Sequence, residues 1–130
     1  MSQFGVQLHT RSNTKTSGNG KKNIKARGKR RSEKGGYFSA TKLSDKRVIT
    51  STRERGGNEG VRLKHVAVAN LLTKDGYKSA KISEIVESKD NRNFARQGII
   101  TKGTIINTDL GKAVVINRPG REGSINARLL

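Results

Sequence analysis

Gly98-Ile99-Ile100-Thr101-Lys102-Gly103-Thr104-Ile105-Ile106, followed by Thr108-Asp109-Leu110-Gly111 and Lys112-Ala113-Val114-Val115-Ile116-Asn117, decides the fold. Short runs of Ile and Val alternate with turn residues. β-Branched side chains are stiff at χ1 and pack well on a pleated surface, so each run reads as a strand. Gly98–Ile106 fits two strands or one bent strand, with Gly103 at a kink or bulge. Thr108–Gly111 is a tight connection, and Lys112–Asn117 is a strong strand with Ala113-Val114-Val115-Ile116 at its heart.

Reading outward toward the C-terminus, Pro119 with Gly120 and Gly123 predicts a turn. Ser124–Leu129 follows as a last strand, with Ile125, Ala127 and Leu129 alternating against Asn126 and Arg128. Toward the N-terminus, Glu87–Asn93 is polar and turn-like, and Phe94–Gln97 reads as a resumed strand. Ala80–Val86 is a strand with Ile82 and Val86 on one side and Ile85 on the other. Lys74-Asp75-Gly76-Tyr77 is a turn, and Ala67–Leu72 fits either a strand or a short helical turn. Val61–Val66 alternates, with Val61, Leu63 and His65 on one face. Tyr37–Leu43 and Arg47–Thr52 read as extended segments with Ser44-Asp45-Lys46 as the turn between them. Short strands with turn signals at close intervals imply an all-β body, a small antiparallel β-barrel spanning residues 36–130. Closing the sheet on itself removes its edges.

Residues 1–35 differ in kind. They carry ten bases, Arg11, Lys15, Lys21, Lys22, Lys25, Arg27, Lys29, Arg30, Arg31 and Lys34, against the single acid Glu33. Phe4, Val6, Leu8 and Ile24 are too sparse to bury a core, so ordering such a segment needs a partner that supplies the missing free energy. It reads as a basic N-terminal arm. The whole chain holds 28 Lys and Arg against 10 Asp and Glu, a formal net charge of +18 with a pI near 11.1. That balance makes nucleic acid the expected partner. No apolar run reaches spanning length, no signal-peptide pattern is present and no basic amphipathic helix stands out, so a membrane partner is not expected. There is no cysteine, hence no disulfide framework and no thiolate chemistry, in keeping with a cytoplasmic protein.

Between arm and barrel strands lies Arg53-Glu54-Arg55-Gly56-Gly57-Asn58. Adjacent glycines permit unusual backbone angles, and two guanidinium forks with an amide beside them suit phosphate. Alternation places Arg53 and Arg55 on one face, with Glu54 turned away, if the strand runs that far. The plain alternative is an ordinary loop with solvated charges. Gly18-Asn19-Gly20-Lys21 fails as a phosphate loop, because Lys15 stands where a glycine is required and Lys22 where Ser or Thr is required. Nothing catalytic emerges. His9 and His65 lack cysteine companions for zinc, and His65 reads as a partly buried strand residue. Glu84, Glu87, Asp75, Asp90 and Asp109 are scattered rather than clustered, so no catalytic, metal or cofactor site and no small-molecule substrate is expected.

Several motifs in order give a resemblance: Arg53-Glu54-Arg55-Gly56-Gly57-Asn58 with Arg62-Leu63, then Asn91-Arg92, Ile99-Ile100-Thr101-Lys102-Gly103, Gly111-Lys112-Ala113, and Arg118-Pro119-Gly120 with Gly123 and Asn126-Ala127. Over about Lys29–Leu130 the chain resembles small-subunit ribosomal protein eight of archaea and eukaryotes, the "eight-e" family. It lacks the large insertion of eukaryotic members and is similar to the archaeal form, although Ser88-Lys89-Asp90 stands where archaeal relatives usually have Asn-Pro-Ala. The resemblance implies a constituent of the small ribosomal subunit, with a β-barrel-like body and a basic extension threading into ribosomal RNA beside neighbouring ribosomal proteins. It implies no enzyme activity. With it, the expected RNA-binding set is the ten arm bases, Arg53, Arg55, Gly56, Gly57, Asn58, Arg92 and Lys102. Without it, a non-ribosomal nucleic-acid-binding or compacting protein has the same composition.

Overall fold

The computed structural model describes residues 27, 28, 30 and 35–130. The chain divides into two units, Met1–Phe38 and Ser39–Leu130. In the first, the described residues are exposed, and Arg27 Nη1 donates to the Gly28 carbonyl at 3.2 Å. The second unit holds eight strands and two short helices: β1 Lys42–Leu43, β2 Val48–Arg53, β3 Glu59–Val66, β4 Val68–Thr73, β5 Gly76–Glu87, α1 Arg92–Arg96, β6 Ile105–Thr108, β7 Gly111–Val115, α2 Pro119–Glu122 and β8 Asn126–Leu129.

β4 through β8 form a closed barrel, as the all-β reading expects. Four of its five seams are antiparallel, and the closing seam, β4 with β8, is parallel. A five-stranded barrel has a narrow interior, and the sequence fills it by pairing small with large. Ala69, Ala80, Ala113 and Ala127 point inward beside Leu71, Ile82, Ile106 and Val115, all of them buried. Ile100 and Ile125, from the flanking loops, join the same cluster. Two of the hairpins share one turn chemistry. Thr73 Oγ1 donates to the Gly76 carbonyl and Thr108 Oγ1 to that of Gly111, each at 2.7 Å, and the two glycines have φ of +126° and +127°.

β1, β3 and β2 form a second, three-stranded sheet in that spatial order. Ser44-Asp45-Lys46 therefore does not close a hairpin, since β3 lies between the strands it joins. β3 supplies Leu63 and Val66 to the barrel's apolar cluster, which fixes the sheet on the barrel. Of the extended run expected over Tyr37–Leu43, only Lys42–Leu43 pairs. Side chains hold the preceding residues as well: Ser39 Oγ donates to the Gly120 carbonyl at 3.3 Å and Thr41 Oγ1 to that of Leu63 at 2.8 Å, while the Thr41 carbonyl accepts from the Ile100 amide at 2.8 Å. Ala40 between them sits at φ +46°.

Three further differences have local causes. Phe94–Gln97 is not a strand: Arg92–Arg96 is helical, capped by the Asn91 side chain, which accepts from the Asn93 amide at 2.9 Å. Pro119–Gly123 is more than a turn. Proline at the first helical position and left-handed Gly123 at the end make one helical turn. In β5 the register shifts between Ile82 and Glu84 and again between Ile85 and Glu87. These bulges turn Ile85 toward the core and leave Val86 outside, 45% exposed, against the simple alternation. Gly103 does mark the kink of the Gly98–Ile106 stretch, at φ +82°, in the turn before β6.

Candidate nucleic-acid interface

The tip of the β2–β3 hairpin is built from Arg53-Glu54-Arg55-Gly56-Gly57-Asn58. β2 ends at Arg53, and Arg55–Gly57 form a single 3-10 turn, so the alternation that would align the two arginines stops short. The Glu54 amide donates to the Asn58 carbonyl at 2.7 Å and closes the tip. Gly56 and Gly57 sit at φ +81° and +80°, where a side chain is strained. A Cβ at either would meet nothing within 4 Å, so glycine is required here for conformation, and the backbone is open to a ligand. All six residues are exposed. Among the described residues, neither Arg53 nor Arg55 has a side-chain hydrogen bond or ion pair. The Glu54 carboxylate lies over Gly60 of β3, with its Cδ 3.0 Å from where a Cβ would stand, so a glycine at 60 is what lets the one acid of the tip fold onto the sheet.

Lys102 lies in a second basic region, built around Asn117. The Asn117 Nδ2 donates to Glu122 Oε2 at 3.0 Å and to the Ser124 carbonyl at 2.8 Å, while its Oδ1 accepts from the Asn126 amide at 2.9 Å. One side chain thus ties the end of β7 to both α2 and the start of β8. The Arg118 amide donates to Glu122 Oε1 at 3.3 Å. The Asn117 amide and the Arg118 N–H hold the Glu122 carboxyl below its ordinary 4.5, and the positive charges of Lys102 and Arg118 act in the same direction. The positive charges of Lys102 and Arg118 thus both act on one fixed carboxylate. Arg47 Nη2 donates to the Gly123 carbonyl at 2.8 Å and steadies the C-terminal end of α2.

Of the expected RNA-binding residues, the structure places Arg53, Arg55, Gly56, Gly57 and Asn58 on one hairpin tip and Lys102 beside Arg118 and Glu122. Arg92 is exposed at the start of α1. Arg27 and Arg30 are exposed in the first unit, while Arg11, Lys15, Lys21, Lys22, Lys25, Lys29, Arg31 and Lys34 lie outside the described residues. Arg118, Arg121 and Arg128, outside the expected set, are exposed as well. The signal for Arg118 was its proline: an arginine immediately before a helix-opening Pro-Gly sits at a helix entrance. Among the described residues, no group of His, Cys, Asp and Glu is placed to hold a metal ion, and no helix is long and apolar enough to cross a membrane. His65 is half-buried on β3, between Lys42 and Val48, with its Nδ1 buried and without a partner.

The family model described as ribosomal protein S8e matches residues 10–130, starting earlier in the chain than the motifs alone. A relative from Sulfolobus acidocaldarius, small ribosomal subunit protein eS8, is 46% identical over 108 residues, 82% of this chain and 84% of that one. The protein of the same name from Sulfurisphaera tokodaii is 44% identical over 113 residues, 85% of this chain and 88% of that one. That from Hyperthermus butylicus is 43% identical over 113 residues, 85% and 83% of the two chains.

Proposed function

The chain belongs to the ribosomal protein S8e family, and from that membership we propose that it is a structural constituent of the small ribosomal subunit, binding ribosomal RNA and supporting subunit assembly and translation. The match over residues 10–130, in a chain of net charge +18, is the observation that carries this reading. The protein works in the cytoplasm, within the ribosome, against ribosomal RNA and neighbouring small-subunit proteins, and it carries out no chemical step.

The division of labour runs along the chain. Residues 1–35 are a basic arm that neutralises phosphates, and residues 36–130 are a body recognised by shape. A-form RNA presents phosphates and 2′-hydroxyls more readily than major-groove base edges, which suits cations displayed on turns. Arg53 and Arg55 take phosphate oxygens at the hairpin tip, a guanidinium fork matching two oxygens at once. Gly56 and Gly57 keep the backbone bare for that approach, with Asn58 closing the tip. Arg92 and Lys102 bind further phosphates from the body. Tagged protein expressed in an archaeal host should sediment with small subunits and their RNA through a sucrose gradient. Recovery only at the top of the gradient, or with DNA, would overturn the reading.

A further inference from the structure

Tyr77 is 73% exposed, far more than an aromatic side chain with a structural role requires. It stands on the outside of the barrel, where strand pairing fixes its neighbours. Tyr77 of β5 lies opposite Leu72 of β4, and Leu72 lies opposite Arg128 of β8. The three form one cross-barrel row of aromatic, aliphatic and guanidinium groups. Leu72 is 37% exposed and Arg128 is exposed. Among the described residues, neither the Tyr77 ring nor the Arg128 guanidinium is engaged by another side chain. In the next row Asn70 and Asn126 are opposite each other and joined by a hydrogen bond from Nδ2 to Oδ1 at 3.2 Å. Successive strands are roughly 5 Å apart, so the Tyr–Leu–Arg row spans about 10 Å.

The charge pattern of this face selects its partner. β4, β7, β8 and the first half of β5, Gly76–Lys81, contain Lys78, Lys81, Lys112 and Arg128 and not one carboxylate. The acids of the barrel strands, Glu84 and Glu87, lie in the second half of β5 beside β6. The nearest acid, Asp75 in the β4–β5 turn, is taken up by Lys78 at 3.4 Å, so the face keeps an excess of positive charge around a bare aromatic ring and fits a nucleic acid better than a basic protein segment.

We propose that the Tyr77–Leu72–Arg128 row is a subsite for an unpaired RNA base: the base stacks on the Tyr77 ring and covers Leu72, and Arg128 takes a flanking phosphate. This rests on the ribosomal reading and adds to it the recognition of unpaired RNA, distinct from the phosphate binding of the arm and hairpin tip. Stacking on an aromatic ring is strong and tolerant of base identity. The Asn70–Asn126 pair supplies amide groups beside the base.

The chain has no tryptophan and two tyrosines, Tyr37 and Tyr77, so its own fluorescence reports the site. In the full-length Tyr37→Phe protein, short single-stranded oligoadenylate should quench Tyr77 emission. Affinity for that oligonucleotide should fall by about five- to a hundredfold in Tyr77→Ala and hold in Tyr77→Phe. The slope of log affinity against log salt should not change in Tyr77→Ala. In Arg128→Gln it should flatten by about 0.7, the share of a single phosphate on a single strand. Melting temperatures of these surface variants should match that of the unaltered chain. Oligoadenylate binding without quenching, and with full affinity in Tyr77→Ala, overturns the subsite and leaves the ribosomal reading intact. Intact RNA affinity in Tyr77→Ala with impaired incorporation into small subunits makes the row a protein-binding surface and overturns it also. If the unaltered chain binds no RNA, both readings fall.

Discussion

Replacing Asn117 with alanine removes the clamp at the end of β7. Three hydrogen bonds go: Nδ2 to the Ser124 carbonyl, Nδ2 to Glu122, and the Asn126 amide to Oδ1. The bond to Glu122 is exposed and is left out of the sum. The other two are part-buried, and a typical intramolecular hydrogen bond contributes about 0.5–1.5 kcal/mol net. Losing both costs about 1–3 kcal/mol, toward the upper end because the Asn126 amide is left unpaired at the parallel seam. For a domain near 90 residues, about 2 kcal/mol corresponds to a melting temperature roughly 8–16 °C lower. Thermal unfolding followed by circular dichroism measures this directly. Asn117→Asp is the companion variant: it keeps the acceptor for Asn126 but turns an oxygen toward the Ser124 carbonyl and a negative charge toward Glu122, so it should be destabilised too. An Asn117→Ala protein melting within about 2 °C of the parent would refute the argument, because the α2 loop would then be held by its apolar packing alone.

Arg55→Lys preserves charge but loses the fork, and should weaken RNA binding at fixed salt; Gly57→Val should weaken it further and lower the melting temperature, since valine at φ +80° is strained by more than about 1 kcal/mol. Wild-type affinity for Arg55→Lys would leave the hairpin tip a structural loop. Glu122 has its folded-state pKa lowered, so its contribution is present above the unfolded value and is lost as pH falls through the folded one, below 4.5. Thermal melts of Glu122→Gln and parent should therefore differ at neutral pH and converge in acid below that value; a gap that persists there would show that the carboxylate's charge is irrelevant. At Ala40, φ +46°, a β-branched residue is strongly disfavoured: Ala40→Val should cost more than about 1–2 kcal/mol by denaturant unfolding, while Ala40→Gly stays near neutral, relief of strain offsetting greater freedom in the unfolded chain.

The sequence made the barrel readable where local chemistry decides the outcome. Thr108–Gly111 and Lys74–Gly76 carry their own turn signals, and the inward alternation of Ile125, Ala127 and Leu129 follows directly from the pleat. Tertiary choices were not readable. The placement of β3 between β1 and β2 depends on Leu63 and Val66 reaching the barrel core, which no short window reveals. The β5 bulges arise because a twelve-residue strand must bend around the barrel, so Val86 faces outward although its spacing from Ile82 says otherwise. Five residues of helix at Arg92–Arg96 are too few for periodicity to register, and Asn91 was the one local hint. For the candidate interface, residue types were legible and their grouping was not. Lys102 and Arg118 are sixteen positions apart in the chain, and both act on the Glu122 carboxylate only because β6 and β7 form a hairpin between them.

The parallel seam sets an order of events during synthesis. Each antiparallel seam of the barrel joins strands adjacent in the chain, but β4 finds its other neighbour only at β8, with Asn70 opposite Asn126 across 56 positions. Domains fold as they emerge, and distant pairings form slowly because a long loop must close first. Until β8 has left the ribosome that makes it, β4 has one flank of amides and carbonyls unsatisfied, and β7 has another. A nascent chain in that interval is an open sheet with two sticky edges in a chain of high net positive charge. The shared positive charge of such chains opposes edge-to-edge association, and a chaperone that covers the open edges would do the same.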